Sequence, residues 1–246
     1  MAPNITEALY AIGADSLLVG VTTFCSYPPQ AREKTKIGDY INPDYETITS
    51  LKPDLILLNV ESKSNPTYQA LENLGLPIFV VNIDDYEGVI KMIDNLGKIT
   101  IHNNEATHLI DSLNSVKDEH QKQISSDNIP GAFVIISTNP LMTASGKTFI
   151  NDIIKMSGLE NIYSNEEMEY PTISYEDVLK KDPEYIILPT DTTKSNSIET
   201  SLKEIRDGLS TTKAVKQNNI IIIDADVMFR PGPRVLNGVD LIKKRM

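Results

Sequence analysis

Tyr45-Glu46-Thr47-Ile48-Thr49-Ser50-Leu51-Lys52-Pro53-Asp54-Leu55-Ile56-Leu57-Leu58 recurs 130 residues later, without a gap, as Tyr175-Glu176-Asp177-Val178-Leu179-Lys180-Lys181-Asp182-Pro183-Glu184-Tyr185-Ile186-Ile187-Leu188. Tyr, Glu, Pro, Ile and Leu coincide, and most other pairs are chemically alike. Each copy reads as a short helix, a turn of Pro followed by an acid, and an apolar strand of the kind buried in a parallel sheet. Such units converge in α/β proteins, but a match of this length favours two similar lobes.

Between the copies lies a stretch with a different period. Ala106, Leu109, Ile110, Leu113 and Val116 recur at spacings of three and four, which makes one apolar stripe of a helix over residues 105–124. Asp111, Asn114, Lys117, Asp118, Glu119 and Lys122 occupy its other faces. Asn103 or Asn104 can cap the start, and the run from Ser125 to Gly131 is rich in stop residues. A helix of about twenty residues spans about 30 Å, the width of a small domain. The expected architecture is α/β, with two similar lobes of mostly parallel sheet flanked by helices. Residues 1–101 form the first lobe, 102–126 a long rigid connecting helix, and 127–246 the second lobe.

The rest of the chain fits that frame. Asn4 and Glu7 make a capping-box pattern ahead of a first helix, and Leu17–Val21 reads as a buried strand. Further strands are expected over residues 55–58, 78–81, 132–136 and 220–223, alternating with helices. An α/β lobe ordinarily opens with a strand, yet none precedes Pro3, and Met1-Ala2-Pro3-Asn4 carries no basic and apolar leader.

Composition narrows the function. The 246 residues are 40% hydrophobic and 23% charged, the balance of an ordinary globular protein. A formal charge of -11 disfavours a nucleic-acid surface. A lone Cys25 excludes an internal disulfide framework and a cysteine zinc site. Gly146-Lys147-Thr148 looks like the end of a phosphate loop, but the position that needs glycine is Leu141. His102, His108 and His120 all fall on or beside the long helix, where solvated or boundary positions are expected rather than ligands to a metal. What remains is a set of aromatic, amide and thioether groups beside strand ends: Phe24, Tyr27, Tyr40, Asn59, Met142, Tyr170, Phe229 and Arg230. Flat apolar faces with few polar groups suit a large, partly apolar ligand.

Several motifs together resemble one family. Ala2-Pro3-Asn4-Ile5-Thr6-Glu7, Tyr27-Pro28-Pro29 with Gly38, and Leu51-Lys52-Pro53-Asp54-Leu55 are followed in order by three more. These are Ser145-Gly146-Lys147, Gly158-Leu159-Glu160-Asn161-Ile162 and Arg230-Pro231-Gly232-Pro233-Arg234. In this order they resemble the cobalamin-binding, BtuF-like branch of ABC-transporter substrate-binding proteins, over essentially the whole chain. The resemblance implies a non-enzymatic, monomeric receptor that captures a corrinoid in a cleft between two lobes and delivers it to a membrane permease. It implies Phe24, Tyr27, Tyr40 and Asn59 on one wall, and Met142, Phe229 and Arg230 on the other. Corrinoid binders of this family often present tryptophan, and this chain has none, with Asn59 and Val227 where such rings would stand. Haem and ferric siderophores are therefore rival ligands, with Tyr or Met as candidate axial groups for haem. The resemblance also implies an exposed acid on each lobe for permease arginines: Glu61, beside Asn65, and Glu199. It implies an extracytoplasmic setting, periplasmic or lipid-anchored at the outer face. It further suggests a truncated or processed form, without the strand and leader that members carry ahead of Ala-Pro-Asn.

Overall fold

A computed structural model describes residues 1–60, 62–124, 128–193 and 195–246. The chain divides into two units, Met1–Ile83 with Glu87–Leu113, and Asp84–Tyr86 with Asn114–Met246. The elements of the first are α1 (Pro3–Ala11), α2 (Tyr45–Ser50), β1 (Ile56–Asn59), α3 (Pro66–Asn73), β2 (Ile78–Val81), α4 (Tyr86–Thr100) and α5 (Asn103–Lys122). Tyr86 and the part of α5 beyond Leu113 belong to the second unit. β1 and β2 are parallel, with Ile56 opposite Ile78. Ile37, Ile48, Ile56, Leu58, Tyr68 and Leu71 pack together as the core behind them.

Two local expectations fail here. Helix α1 is capped by the extended backbone of Ala2 with Pro3 in its first turn, while Asn4 and Glu7 are buried inside it. Proline at the first helical position needs no side-chain cap to offset its absent N–H. Residues 17–21 form no strand: Asp15–Leu17 is a 3-10 turn, and Val21 makes a single parallel bridge to Lys36. Leu17 and Val19 are 57% and 49% exposed. A helix satisfies its own backbone, whereas an apolar run becomes a strand only where a ladder partner exists.

The second unit contains β3 (Gly131–Val134), the short antiparallel pair β4 (Ser137–Thr138) and β5 (Leu141–Met142), α6 (Phe149–Met156) and β6 (Glu160–Asn161). Then come α7 (Tyr175–Lys181), β7 (Tyr185–Thr190), α8 (Ser195–Gly208), α9 (Lys213–Lys216), β8 (Ile220–Asp224), α10 (Ala225–Phe229) and α11 (Val235–Lys243). Its main sheet is parallel throughout, in the order β6-β3-β7-β8. Phe133 at its centre is fully buried, its ring 5.7 Å from that of Tyr163. Burial, with Asp177 nearby, pushes the Tyr163 hydroxyl far above its ordinary pKa.

The repeat extends to backbone geometry. Asp44 accepts the N–H of Thr47 at 3.0 Å, and 130 residues on Ser174 accepts that of Asp177 at 3.1 Å. Lys52 and Asp182 both take the left-handed conformation, at φ 47° and 44°. The N–H of Ile56 donates to Pro77 at 2.8 Å, and that of Ile186 to Asn219 at 3.0 Å.

His120, for which a solvated or boundary position was expected, packs between α5 and α11. It is buried, with Nε2 3.2 Å from an Asp240 carboxylate oxygen and Nδ1 3.2 Å from the Lys243 ammonium. Among the described residues no helix is long and apolar enough to cross a membrane.

Candidate ligand-binding site

The aromatic residues of the first unit sit on irregular chain held by backbone hydrogen bonds. Phe24 and Tyr27 lie in one turn, with the Tyr27–Pro28 peptide bond cis, and are 59% and 45% exposed. The Thr23 N–H donates to Gly38 at 2.9 Å, tying this turn to the loop that carries Tyr40. Asp39 closes that loop by accepting from the N–H groups of Asn42 at 2.6 Å and Ile41 at 2.7 Å. Those bonds hold its carboxyl below the ordinary carboxylate range. Ile41 stands at the tip, 80% exposed. A single isoleucine among polar neighbours gives no periodic signal to single it out.

Tyr40 is fixed at both ends. Its hydroxyl accepts from Asn65 Nδ2 at 2.7 Å, and its carbonyl accepts from the Thr67 hydroxyl at 3.2 Å. The amide oxygen of Asn65 takes the Thr67 N–H at 2.9 Å, capping α3. Asn65 is therefore committed to internal bonds that orient a phenol. Asn59 is half-buried as the last residue of β1. Glu61 lies outside the described residues.

In the second unit the candidates follow the carboxyl ends of parallel strands, where open α/β sheets present ligand groups. After β8, residues 225–229 form α10, capped by Asp224 through the Asp226 N–H at 2.8 Å. Val227 and Met228 are buried in it, and Phe229 is left 37% exposed at its end. Arg230 sits 2.7 Å from the Asp226 carboxylate, a partner four residues earlier in the chain.

Met142 lies half-buried on β5, bridged to Thr172, and the adjacent Thr143 N–H donates to Pro171 at 3.1 Å. These bonds bring Met142 beside the chain that carries Tyr170, 37% exposed, and Met168, 68% exposed. Met168 escaped notice because one thioether among polar residues has no pattern. Glu199 is exposed on α8. Among the described residues no cluster of His, Cys, Asp or Glu is arranged to hold a metal ion. A cavity of about 340 Å³ in the first unit is lined by Met1, Leu17, Val19, Leu55 and Leu57 among others, and by none of the aromatic residues above.

The sequence matches the periplasmic binding protein family over residues 1–227. An uncharacterised ABC transporter substrate-binding lipoprotein of Bacillus subtilis, YvrC, is 32% identical, over 98% of this chain and 76% of its own length. The periplasmic vitamin B12-binding protein BtuF of Vibrio cholerae superposes with a TM-score of 0.82 at 26% identity, covering 100% of this chain and 94% of that one. A possible iron-binding (periplasmic solute-binding) protein of Staphylococcus epidermidis gives the same score and identity, over 99% and 95%. The chain belongs to the periplasmic binding protein family. It is thus a binding protein, not an enzyme.

Proposed function

We propose that this protein is the solute-binding component of an ABC importer, and that its ligand is a cobalamin-type corrinoid. The reading rests on the exposed aromatic groups Phe24, Tyr27, Tyr40 and Phe229, supplemented by Met142, Asn59 and Arg230. Exposed rings on loops fixed by hydrogen bonds supply flat contact area at little ordering cost. Arg230, held by Asp226, adds a guanidinium for a peripheral carboxylate or amide oxygen. The likeness to the Vibrio cholerae vitamin B12-binding protein points to the same ligand class.

A second reading, haem or a ferric siderophore, is favoured by one observation. The chain has no tryptophan, and two of its exposed rings are the phenols of Tyr27 and Tyr40. The Staphylococcus epidermidis likeness leans the same way. Titration with cyanocobalamin, haemin and a ferric siderophore, followed by absorbance and tyrosine fluorescence, separates these. Cyanocobalamin is expected to bind most tightly. If none binds below about 10 μM, equivalent to about −7 kcal/mol, the receptor reading fails.

In the same reading Glu199 on α8 meets an arginine of the permease. Rim charges of this kind act mainly on orientation and association rate. Glu199→Arg should slow capture by the permease and leave ligand affinity unchanged.

A further inference from the structure

Tyr40 presents its hydroxyl with a defined polarity, and the side chain of Asn65 sets it. An amide can offer either its oxygen or its nitrogen, so its orientation follows from its partners. The backbone N–H of Thr67 can only donate, and it lies 2.9 Å from the Asn65 side chain. The atom facing it is therefore the amide oxygen. That leaves Nδ2, which can only donate, 2.7 Å from the Tyr40 hydroxyl. The phenol oxygen is consequently the acceptor in that bond, and its own proton is not used there. No described residue takes that proton, since Thr67 reaches Tyr40 only at its carbonyl, at 3.2 Å.

The surrounding chain keeps this arrangement from relaxing. The Asn65 N–H donates to Ser62 at 3.2 Å and its carbonyl accepts from Gln69 at 3.1 Å, which fixes the residue at the head of α3. The Gly38–Pro43 bridge and the Asp39 carboxylate close the loop that carries Tyr40. Turning the amide over would set Nδ2 against the N–H of the buried Thr67, donor against donor. The phenol, 41% exposed, thus keeps one unused function, an O–H donor.

We propose that Tyr40 recognises an acceptor oxygen of the ligand, and that Asn65 is the positioning residue that makes Tyr40 a donor. The assignment rests on the receptor reading above, in which Tyr40 is a ligand residue. The group it takes is an amide, carboxylate or hydroxamate oxygen, and for a corrinoid it is a carboxamide oxygen at the edge of the ring. A ligand N–H at the same place would meet a donor and leave both groups unpaired. An aspartate in place of Asn65 would still cap α3, but its carboxylate would claim the phenol proton. The polarity of Tyr40 would then be reversed, with only lone pairs left for the ligand.

The test is a double-mutant cycle on the full chain, with cyanocobalamin binding measured by equilibrium dialysis. Tyr40→Phe should weaken binding by about fivefold, the usual loss for one neutral hydrogen bond. Asn65→Asp should weaken it by about tenfold, because a repulsive contact replaces the bond, while the midpoint of thermal unfolding hardly moves. In the Tyr40→Phe background the Asn65→Asp loss should vanish, which a role in capping α3 or a simple charge effect would not produce. An Asn65→Asp loss of equal size in both backgrounds would overturn the proposal. So would a neutral Tyr40→Phe in a protein whose parent binds cyanocobalamin, and the receptor reading would survive that result. With haemin as the probe, an iron–phenolate absorption band that Tyr40→Phe removes would also overturn it, because iron takes the oxygen lone pair and leaves no proton to donate. A parent that binds neither cyanocobalamin, haemin nor a ferric siderophore would overturn the receptor reading, and this assignment with it.

Discussion

β1 and β7 are the same element of one repeat, yet they live in different surroundings. Strand β7 lies between β3 and β8, with Ile186 and Ile187 fully buried. Strand β1 is paired with β2 alone among the described residues, and Leu55 and Leu57 line a cavity. Where the two copies agree, the cause is local: a cap three residues ahead, a left-handed residue before Pro53 or Pro183, a shared N–H direction. Where they differ, the cause is a neighbour distant in sequence. A helix–turn–strand cassette thus carries its own register, but not the sheet that receives it.

The largest test of this contrast compares Ile186→Ala with Ile56→Ala. Both side chains are buried, at 0% and 5% exposure, and they occupy the same position of the repeat. We expect a cost of about 4 kcal/mol for Ile186 and about 2 kcal/mol for Ile56, both within the usual range for truncating a buried aliphatic. The reason is relaxation: β1 has a free flank into which the surrounding chain can settle, and β7 has none. Urea denaturation read unit by unit through hydrogen exchange would measure both. Equal costs would mean that β1 is as confined as β7 and would break the comparison.

A smaller effect is expected at the ligand. In the corrinoid-receptor reading, Phe24→Ala and Phe229→Ala should each weaken cyanocobalamin binding by about tenfold, or about 1.4 kcal/mol. The first side chain is 59% exposed on an irregular turn, the second 37% exposed at the end of α10. Removing either leaves the fold intact, so the midpoint of unfolding should hardly move. A loss confined to one of the two variants would assign the site to a single unit.

How much of this was legible beforehand depended on the range of the forces involved. The repeat, most helices and the strand Ile78–Val81 follow from periodicity, caps and turn residues, which act within a few positions. Leu17–Val21 has a good strand composition and still forms none, because a strand needs a partner that its own residues do not encode. α10 is not legible in the sequence, since its five residues give too short a period to detect. At the candidate site the rings Phe24, Tyr27, Tyr40 and Phe229 were identifiable by type and place. The Asn65–Tyr40 bond and the Arg230–Asp226 pair were not, for side-chain partners depend on backbone paths that composition does not reveal. His120 is the same lesson in reverse. It sits at the end of an amphipathic helix, and only the approach of Asp240 and Lys243 from α11 makes it buried.

The finest test uses the two caps, where the copies agree in geometry and differ in chemistry. Ser174→Ala should cost about 1 kcal/mol at any pH, because a hydroxyl does not titrate. Asp44→Ala should also destabilise α2, but in a pH-dependent way. The Thr47 hydroxyl and backbone N–H donate to the Asp44 carboxylate and hold its pKa below the usual value. A carboxyl whose pKa is lower in the folded state than its unfolded value of about 3.9 stabilises the fold above that value. The contribution fades as the pH falls through the lower folded pKa. The difference between parent and Asp44→Ala should therefore be full near neutrality and shrink below about pH 4, while that for Ser174→Ala stays constant. Parallel urea titrations of the three chains from neutral to acid pH would check this. An Asp44→Ala deficit that persists unchanged in acid would show that the cap acts through shape rather than charge, making the two copies alike in chemistry as well as in geometry.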